Sequence, residues 1–177
     1  MTEQQGPLIG VLALQGAFEE HQQHLEAIGC QTRQVRTPQQ LEGLDAIVLP
    51  GGESTAMGLI GTSGGDNMWT ALKDFSQHKP TWGTCAGMIL LAERCVGTSA
   101  VIEKGQALIG GMDILVCRNY FGSQISSFEL STPAPPGWED GGSFPGVFIR
   151  APAILTAQEK DQVLGRVVAT PCRQAAV

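Results

Sequence analysis

Leu8-Ile9-Gly10-Val11-Leu12-Ala13-Leu14 is an unbroken apolar run near the start of the chain. Such a run suits a strand buried on both faces, as in a parallel sheet covered by helices. Gln15-Gly16 breaks the run. From Ala17 to Ile28 the apolar spacing turns helical, with Phe18, Leu25 and Ile28 on one face, His21 beside them and Gly29 as the stop. Gln31 to Val35 predicts a second strand. Thr37-Pro38 opens a short helix ending near Leu41, with Thr as N-cap and Pro at the first position. Asp45 to Leu49 predicts a third strand, stopped by Pro50-Gly51-Gly52-Glu53-Ser54-Thr55, and a helical segment follows through about Ile60. Gly61 to Gly65 reads as a loop, and Asn67 to Gln77 as an amphipathic helix with Met68, Leu72 and Phe75 at helical spacing. A short strand, Pro80-Thr81-Trp82, comes next. Met88, Leu91, Ala92 and Cys95 then predict the core-facing stripe of another helix.

This alternation of strand and helix to about residue 95 predicts an α/β fold: three layers, a mostly parallel sheet with helices on both faces. Ligands of such sheets bind at the carboxyl ends of the strands. Gln15-Gly16, Pro50 to Thr55 and Gly83 to Gly87 all fall at those ends. The second half is less periodic. Met112 to Cys117 and Gln124 to Leu130 read as strands open to antiparallel pairing, and Pro133 to Pro145 as a Pro/Gly-rich surface loop. Gly146 to Ile149 is a strand ending at Arg150, and Val163 to Ala169 suits another. No repeat, linker or low-complexity tract divides the 177 residues, which suit one domain large enough to bury a core without disulfides or metal.

Composition narrows the classes of partner. Net charge is −6 and Lys and Arg form no cluster, which argues against nucleic acid and anionic membranes. No apolar run approaches the ~18 residues of a membrane span. Residues 1–7 are polar and acidic, unlike a signal or transit peptide. The five cysteines, Cys30, Cys85, Cys95, Cys117 and Cys172, are odd in number and include no C-x-x-C pair. That pattern fits reduced thiols in a cytoplasmic compartment and argues against a disulfide framework or a zinc site.

Gly83-Thr84-Cys85-Ala86-Gly87, between a strand and a helix, reads as a nucleophile elbow. Its glycines allow a tight turn that exposes the central side chain, and a helix N-terminus favours thiolate over thiol. The competing reading is a buried Cys in a Gly-rich turn. A nucleophilic Cys needs a base. The three histidines, His21, His24 and His78, all precede Cys85. His78 belongs at the amino end of its strand, away from the elbow, and His21 suits the edge of the core better than the role of a base.

Five segments together resemble one family: Val11-Leu12-Ala13-Leu14-Gln15-Gly16, Leu49-Pro50-Gly51-Gly52-Glu53-Ser54-Thr55, Trp82-Gly83-Thr84-Cys85-Ala86-Gly87, Arg118-Asn119-Tyr120-Phe121-Gly122-Ser123-Gln124 and Val147-Phe148-Ile149-Arg150-Ala151-Pro152. They are similar to the glutaminase subunits of pyridoxal 5'-phosphate synthase, which are class I, triad-type glutamine amidotransferases. The elbow alone also suits other cysteine hydrolases, but those do not demand the Arg118-Asn119 and Phe148-Ile149-Arg150 blocks. The resemblance implies a flavodoxin-like class I amidotransferase fold. It implies that Cys85 attacks the side-chain amide of L-glutamine, releasing ammonia to a separate synthase subunit, and that water frees glutamate from the thioester. It implies no metal and no organic cofactor. Gly51, Gly52 and Ala86 would supply the oxyanion hole. Gly52, Glu53, Ser54, Arg118, Ile149 and Arg150 would surround glutamine, and Gln15-Gly16 would change conformation when the synthase docks. Taken alone, Arg118 and Arg150 are equally readable as surface ion-pair residues, and Glu53 as a first-turn helix residue. The family also carries a C-terminal His-Pro-Glu segment that supplies base and orienting carboxylate. This segment has no counterpart before Val177. The resemblance therefore implies a domain over 1–177 that lacks the final strand and helix and is impaired in turnover, or a non-catalytic relative that binds glutamine or the synthase.

Overall fold

The computed structural model describes residues 6–63, 67–97, 107–118, 120–121, 127–134, 142–158 and 163. Four strands form a parallel sheet: β1 (Leu8–Leu12), β2 (Gln31–Val35), β3 (Ala46–Leu49) and β4 (Thr81–Gly83), in the order β2-β1-β3-β4. Register is continuous across it, with Ile9 opposite Thr32 and Ala46, and Leu49 opposite Gly83. Helices α1 (Phe18–Ala27), α2 (Ser54–Ser63), α3 (Met68–His78) and α4 (Ala86–Leu91) connect or follow these strands.

The strand alternation divides the core in two. Ile9, Val11 and Val48 face one way and pack with Phe18 and Leu25 of α1. Leu12, Ile47 and Leu49 face the other, against Met57 of α2, Leu72 of α3 and Leu90 of α4. Helices therefore cover both faces, as the apolar runs predict. A methyl at Gly10 would lie 3.1 Å from Val35 and collide with Leu44, so the glycine inside β1 is there for close packing. Thr37, the predicted N-cap, forms a capping box with Gln40 at the start of a short 3-10 turn, Pro38–Leu41.

Three sequence expectations need correction. The helix predicted through Cys95 stops at Leu91, and Ala92–Val96 forms strand β5. Ala92 and Ile89 do share a buried cluster, but with Ile114 and Val116 of β6 (Met112–Cys117), beside which β5 lies in parallel. Tertiary pairing overrides a short stretch whose apolar spacing fits either state. The expected partner of β6 also differs: β6 pairs antiparallel with β9 (Ala153–Ala157), a strand absent from the sequence reading. The predicted strand from Gln124 appears as β7 (Phe128–Pro133), with residues 124–126 outside the described residues. β7 forms a hairpin with β8 (Ser143–Phe148), so Pro133 and 143–145 belong to strands and not to the predicted loop. The predicted strand at 163–169, apart from Val163, and Cys172 lie outside the described residues.

Candidate active site

β4 ends at Gly83, and Thr84-Cys85 turn the chain into α4. Cys85 is exposed and is the N-cap of α4, with φ 49° and ψ −104°. A non-glycine residue held there costs about 1–3 kcal/mol and persists only when its surroundings fix it. The backbone shows what fixes it. Thr84 N–H donates to Leu49 O at 3.0 Å, Gly87 N–H to Thr84 O at 2.8 Å and to Pro50 O at 3.2 Å, and Ile89 N–H to Cys85 O at 3.2 Å. The flanking glycines serve contact, not turn freedom, since positive φ falls on Cys85 itself and on neither of them. A methyl at Gly83 would lie 2.5 Å from the carbonyl of Gly87, and one at Gly87 would run into the carbonyl of Leu49. Two bare backbones are needed for β3, β4 and α4 to meet under the thiol. With six residues α4 is shorter than predicted and brings less dipole.

The Pro50 to Thr55 break lies against the elbow. A Cβ at Gly51 would sit 3.3 Å from Cys85 Cβ. The Gln15-Gly16 break clamps this loop from the other side: Ala17 N–H donates to Gly51 O at 2.9 Å and Glu53 N–H to Gln15 Oε1 at 2.7 Å. Gly16 has φ +99°, and a side chain there would strike the Gly51 carbonyl. Gly52 lies beneath Gln15 and Met57, 2.8 Å from Met57 Cε if a Cβ were added.

Glu53 precedes α2 and accepts from Thr55 N–H at 3.1 Å and Ala56 N–H at 2.7 Å, so it caps the helix. Arg118 reaches it across 65 residues: Nη2 lies 3.3 Å from Glu53 Oε1 and donates to Thr55 Oγ1 at 2.8 Å. The Arg118 side chain is only 9% exposed, against 46% for Glu53. Burial pushes the Glu53 carboxyl up, but the two N–H groups, the Thr55 hydroxyl and Arg118 outweigh it and hold the carboxyl below its ordinary range. Ser54 and Thr55 are buried at the start of α2. Arg118 is thus no surface residue, whereas Glu53 combines the bland capping role with a partly open carboxylate.

Ile149 and Arg150 follow β8 and are exposed, Arg150 with φ 48°. Their hairpin connects to the Arg118 segment through aromatic rings. Phe121 packs on Phe128 at 5.1 Å and on Phe148 at 6.1 Å, and Phe128 stacks on Phe148 at 4.8 Å. The structure therefore gathers Gln15, Gly16, Gly51, Gly52, Glu53, Ser54, Arg118, Cys85 and Ala86 on one edge, while Ile149 and Arg150 hang from the aromatic cluster beside it.

Sequence reasoning missed the contact of His21. Its Nε2 lies 3.1 Å from Thr84 Oγ1, and its ring meets Trp82 edge-on at 5.5 Å. Burial, with a smaller push from His24 and against a pull from Glu20, lowers its pKa, so the ring is neutral at pH 7. His78 instead closes α3, with Nδ1 2.9 Å from Asp74 O. No helix among the described residues is long and apolar enough to cross a membrane.

The fold and site define an α/β protein whose parallel sheet presents a cysteine at a strand-to-helix elbow, beside a Gly-Gly loop and an Arg–Glu pair of which the arginine is largely covered and the carboxylate partly open. Comparison with known proteins makes this particular: the chain belongs to the SNO glutamine amidotransferase family, whose model matches residues 11–170. It is 46% identical to a probable pyridoxal 5'-phosphate synthase subunit of Arabidopsis thaliana, over 88% of this chain and 61% of that one. It is 47% identical to the pyridoxal 5'-phosphate synthase subunit PdxT of Pelotomaculum thermopropionicum, over 89% of this chain and 76% of the relative. It therefore spans less than two thirds of the plant relative and about three quarters of the bacterial one. A crystal structure of a glutamine amidotransferase superposes with TM-score 0.76 at 39% identity, covering 90% of this chain and 79% of that one. The Thermotoga maritima PurLQS structure, at 14% identity and TM-score 0.64, shares the fold.

Proposed function

We propose that this chain is the glutaminase subunit of a pyridoxal 5'-phosphate synthase, acting in the cytoplasm on L-glutamine and passing ammonia to the synthase subunit. The observation that carries the reading is the strained, exposed Cys85 set against Gly51. Cys85 Sγ adds to the side-chain amide carbon. The carbonyl oxygen takes up negative charge, met by N–H groups of Ala86 and of Gly51-Gly52. The carbon–nitrogen bond breaks, nitrogen takes up the proton given up by the thiol and leaves as ammonia, and water then cleaves the thioester, its oxygen going to glutamate and one proton back to sulfur. Glu53, open on one side and ionised at neutral pH, meets the substrate ammonium, and Arg150 its carboxylate. Arg118, held by Thr55 and Glu53, fixes that carboxylate in place, and Ser54 and Ile149 complete the pocket. Gln15-Gly16, bonded to the Gly51–Glu53 segment, is the loop through which a docked synthase alters the oxyanion site. Neither nucleic acid nor membrane enters this function, and the chemistry uses no metal or organic cofactor.

A second reading has an observation of its own: His21 is bonded to Thr84 and His78 to Asp74, so neither is bonded to the Cys85 thiol. In that reading the chain binds glutamine or the synthase without turning glutamine over. Calorimetric titration of glutamine, paired with ammonia release in the presence of the synthase subunit, separates the two. Binding with turnover supports the glutaminase, and binding without it the second reading. Glu53→Ala and Arg150→Ala should each weaken glutamine about ten- to hundredfold, since each removes a charge-assisted contact of ~1.5–3 kcal/mol. Unchanged affinity in both refutes the pocket.

A further inference from the structure

Helix α1 touches both halves of the site through two different groups. At its start, Ala17 N–H holds the Gly51 carbonyl at 2.9 Å. One turn later, His21 Nε2 meets the Thr84 hydroxyl at 3.1 Å. Thr84 is the residue before Cys85, and its own N–H and C=O are already committed to Leu49 and Gly87. With His21 in place, every polar group of Thr84 has a partner, and rotation about the Thr84–Cys85 link is opposed from three sides. The Trp82 ring, edge-on to the imidazole at 5.5 Å, limits where His21 can go.

We propose that His21 is a positioning residue for Cys85: acting through Thr84, it holds the strained elbow in register with the Gly51-Gly52 loop. The proposal rests on the reading of Cys85 as the reacting thiol. The geometry explains why one helix should contact both parts. A tetrahedral oxyanion needs donors from the elbow and from the loop at a fixed separation. Elbow and loop follow different strands, and a single rigid helix bonded to both fixes their spacing. His21 contacts the Thr84 hydroxyl and is assigned no proton transfer.

The test is the rate at which iodoacetamide alkylates Cys85, followed by peptide mapping at fixed pH. This reagent needs neither glutamine nor a synthase, so it reports the elbow alone. His21→Ala and Thr84→Val should each slow alkylation about three- to tenfold, the worth of one net hydrogen bond. The double variant should be no slower than either single one, because both remove the same contact. His21→Gln and Thr84→Ser, which keep a polar group at each end, should recover most of the rate. Wild-type rates in both single variants, or multiplied effects in the double, would overturn the proposal. Thr84→Val is close to isosteric and decides the matter if His21→Ala does not fold. Labelling by the glutamine analogue 6-diazo-5-oxo-L-norleucine separates this from the glutaminase reading. Wild-type protein that reacts with iodoacetamide but not with the analogue loses its glutamine pocket, while the alkylation series still decides the role of His21.

Discussion

Gly87→Ala sets two physical effects against each other. Gly87 is the second residue of α4, where alanine should raise helix stability by about 0.5–1 kcal/mol. Against this, the new methyl would run into Leu49 O and lie 2.6 Å from its carbonyl carbon. Leu49 is fully buried in β3, is paired with Gly83 and accepts from Thr84 N–H, so it has no rotamer through which to yield. Either α4 lifts off the sheet or the Thr84–Leu49 bond opens. Overpacking costs about 1–3 kcal/mol, and a disturbed buried hydrogen bond adds about 1 kcal/mol. Packing should win by about 1.5–3 kcal/mol, which lowers Tm by about 3–12 °C for a domain of this size. Urea unfolding followed by circular dichroism measures it, with Gly142→Ala as the control, since a methyl there meets nothing within 4 Å. Cys85 alkylation should slow in the same variant because the elbow moves. Equal or greater stability of Gly87→Ala would refute the close-approach account of the Gly-x-Cys-x-Gly spacing.

Three further outcomes are expected. Brief, limiting iodoacetamide should label Cys85 ahead of Cys30, Cys95 and Cys117, which are all half-buried; preferential labelling of any of these three by mass spectrometry would count against the elbow. Glu53→Gln should cost about 0.5–1 kcal/mol at pH 7 through the α2 cap. Because the folded pKa of Glu53 is lowered, that difference should be complete above the ordinary value of 4.5 and vanish as pH falls through the folded value; chemical denaturation at several pH values that finds it growing in acid contradicts the assignment. Gly16→Ala should weaken the Ala17–Gly51 bond by strain at φ +99° and collision with the Gly51 carbonyl, seen as faster amide exchange at Ala17, whereas unaltered exchange would show that the clamp is not built this way.

The succession of the first four strands and their helices along the chain, and the placing of three breaks on one edge, were legible in the sequence. Each depends on local periodicity and on glycines and prolines at element ends. The Gly-x-Cys-x-Gly spacing was legible too, but its reason was not. Only the fold shows that Gly83 and Gly87 are small so that β3, β4 and α4 can touch, while Cys85 itself carries the strain. Ala92–Val96 was unreadable because five residues fit either state until β6 lies alongside. Arg118 read equally well as a surface cation; burial against Thr55 and Glu53, 63 and 65 residues away, is a tertiary fact. The same holds for His21. Its helix face was evident from the spacing of Phe18 and Leu25, but no local pattern relates it to Thr84, the residue after β4, which the packing of α1 on the sheet brings within 3.1 Å. Periodicity reports which side of an element faces the core, and contacts between distant segments depend on how those elements stack.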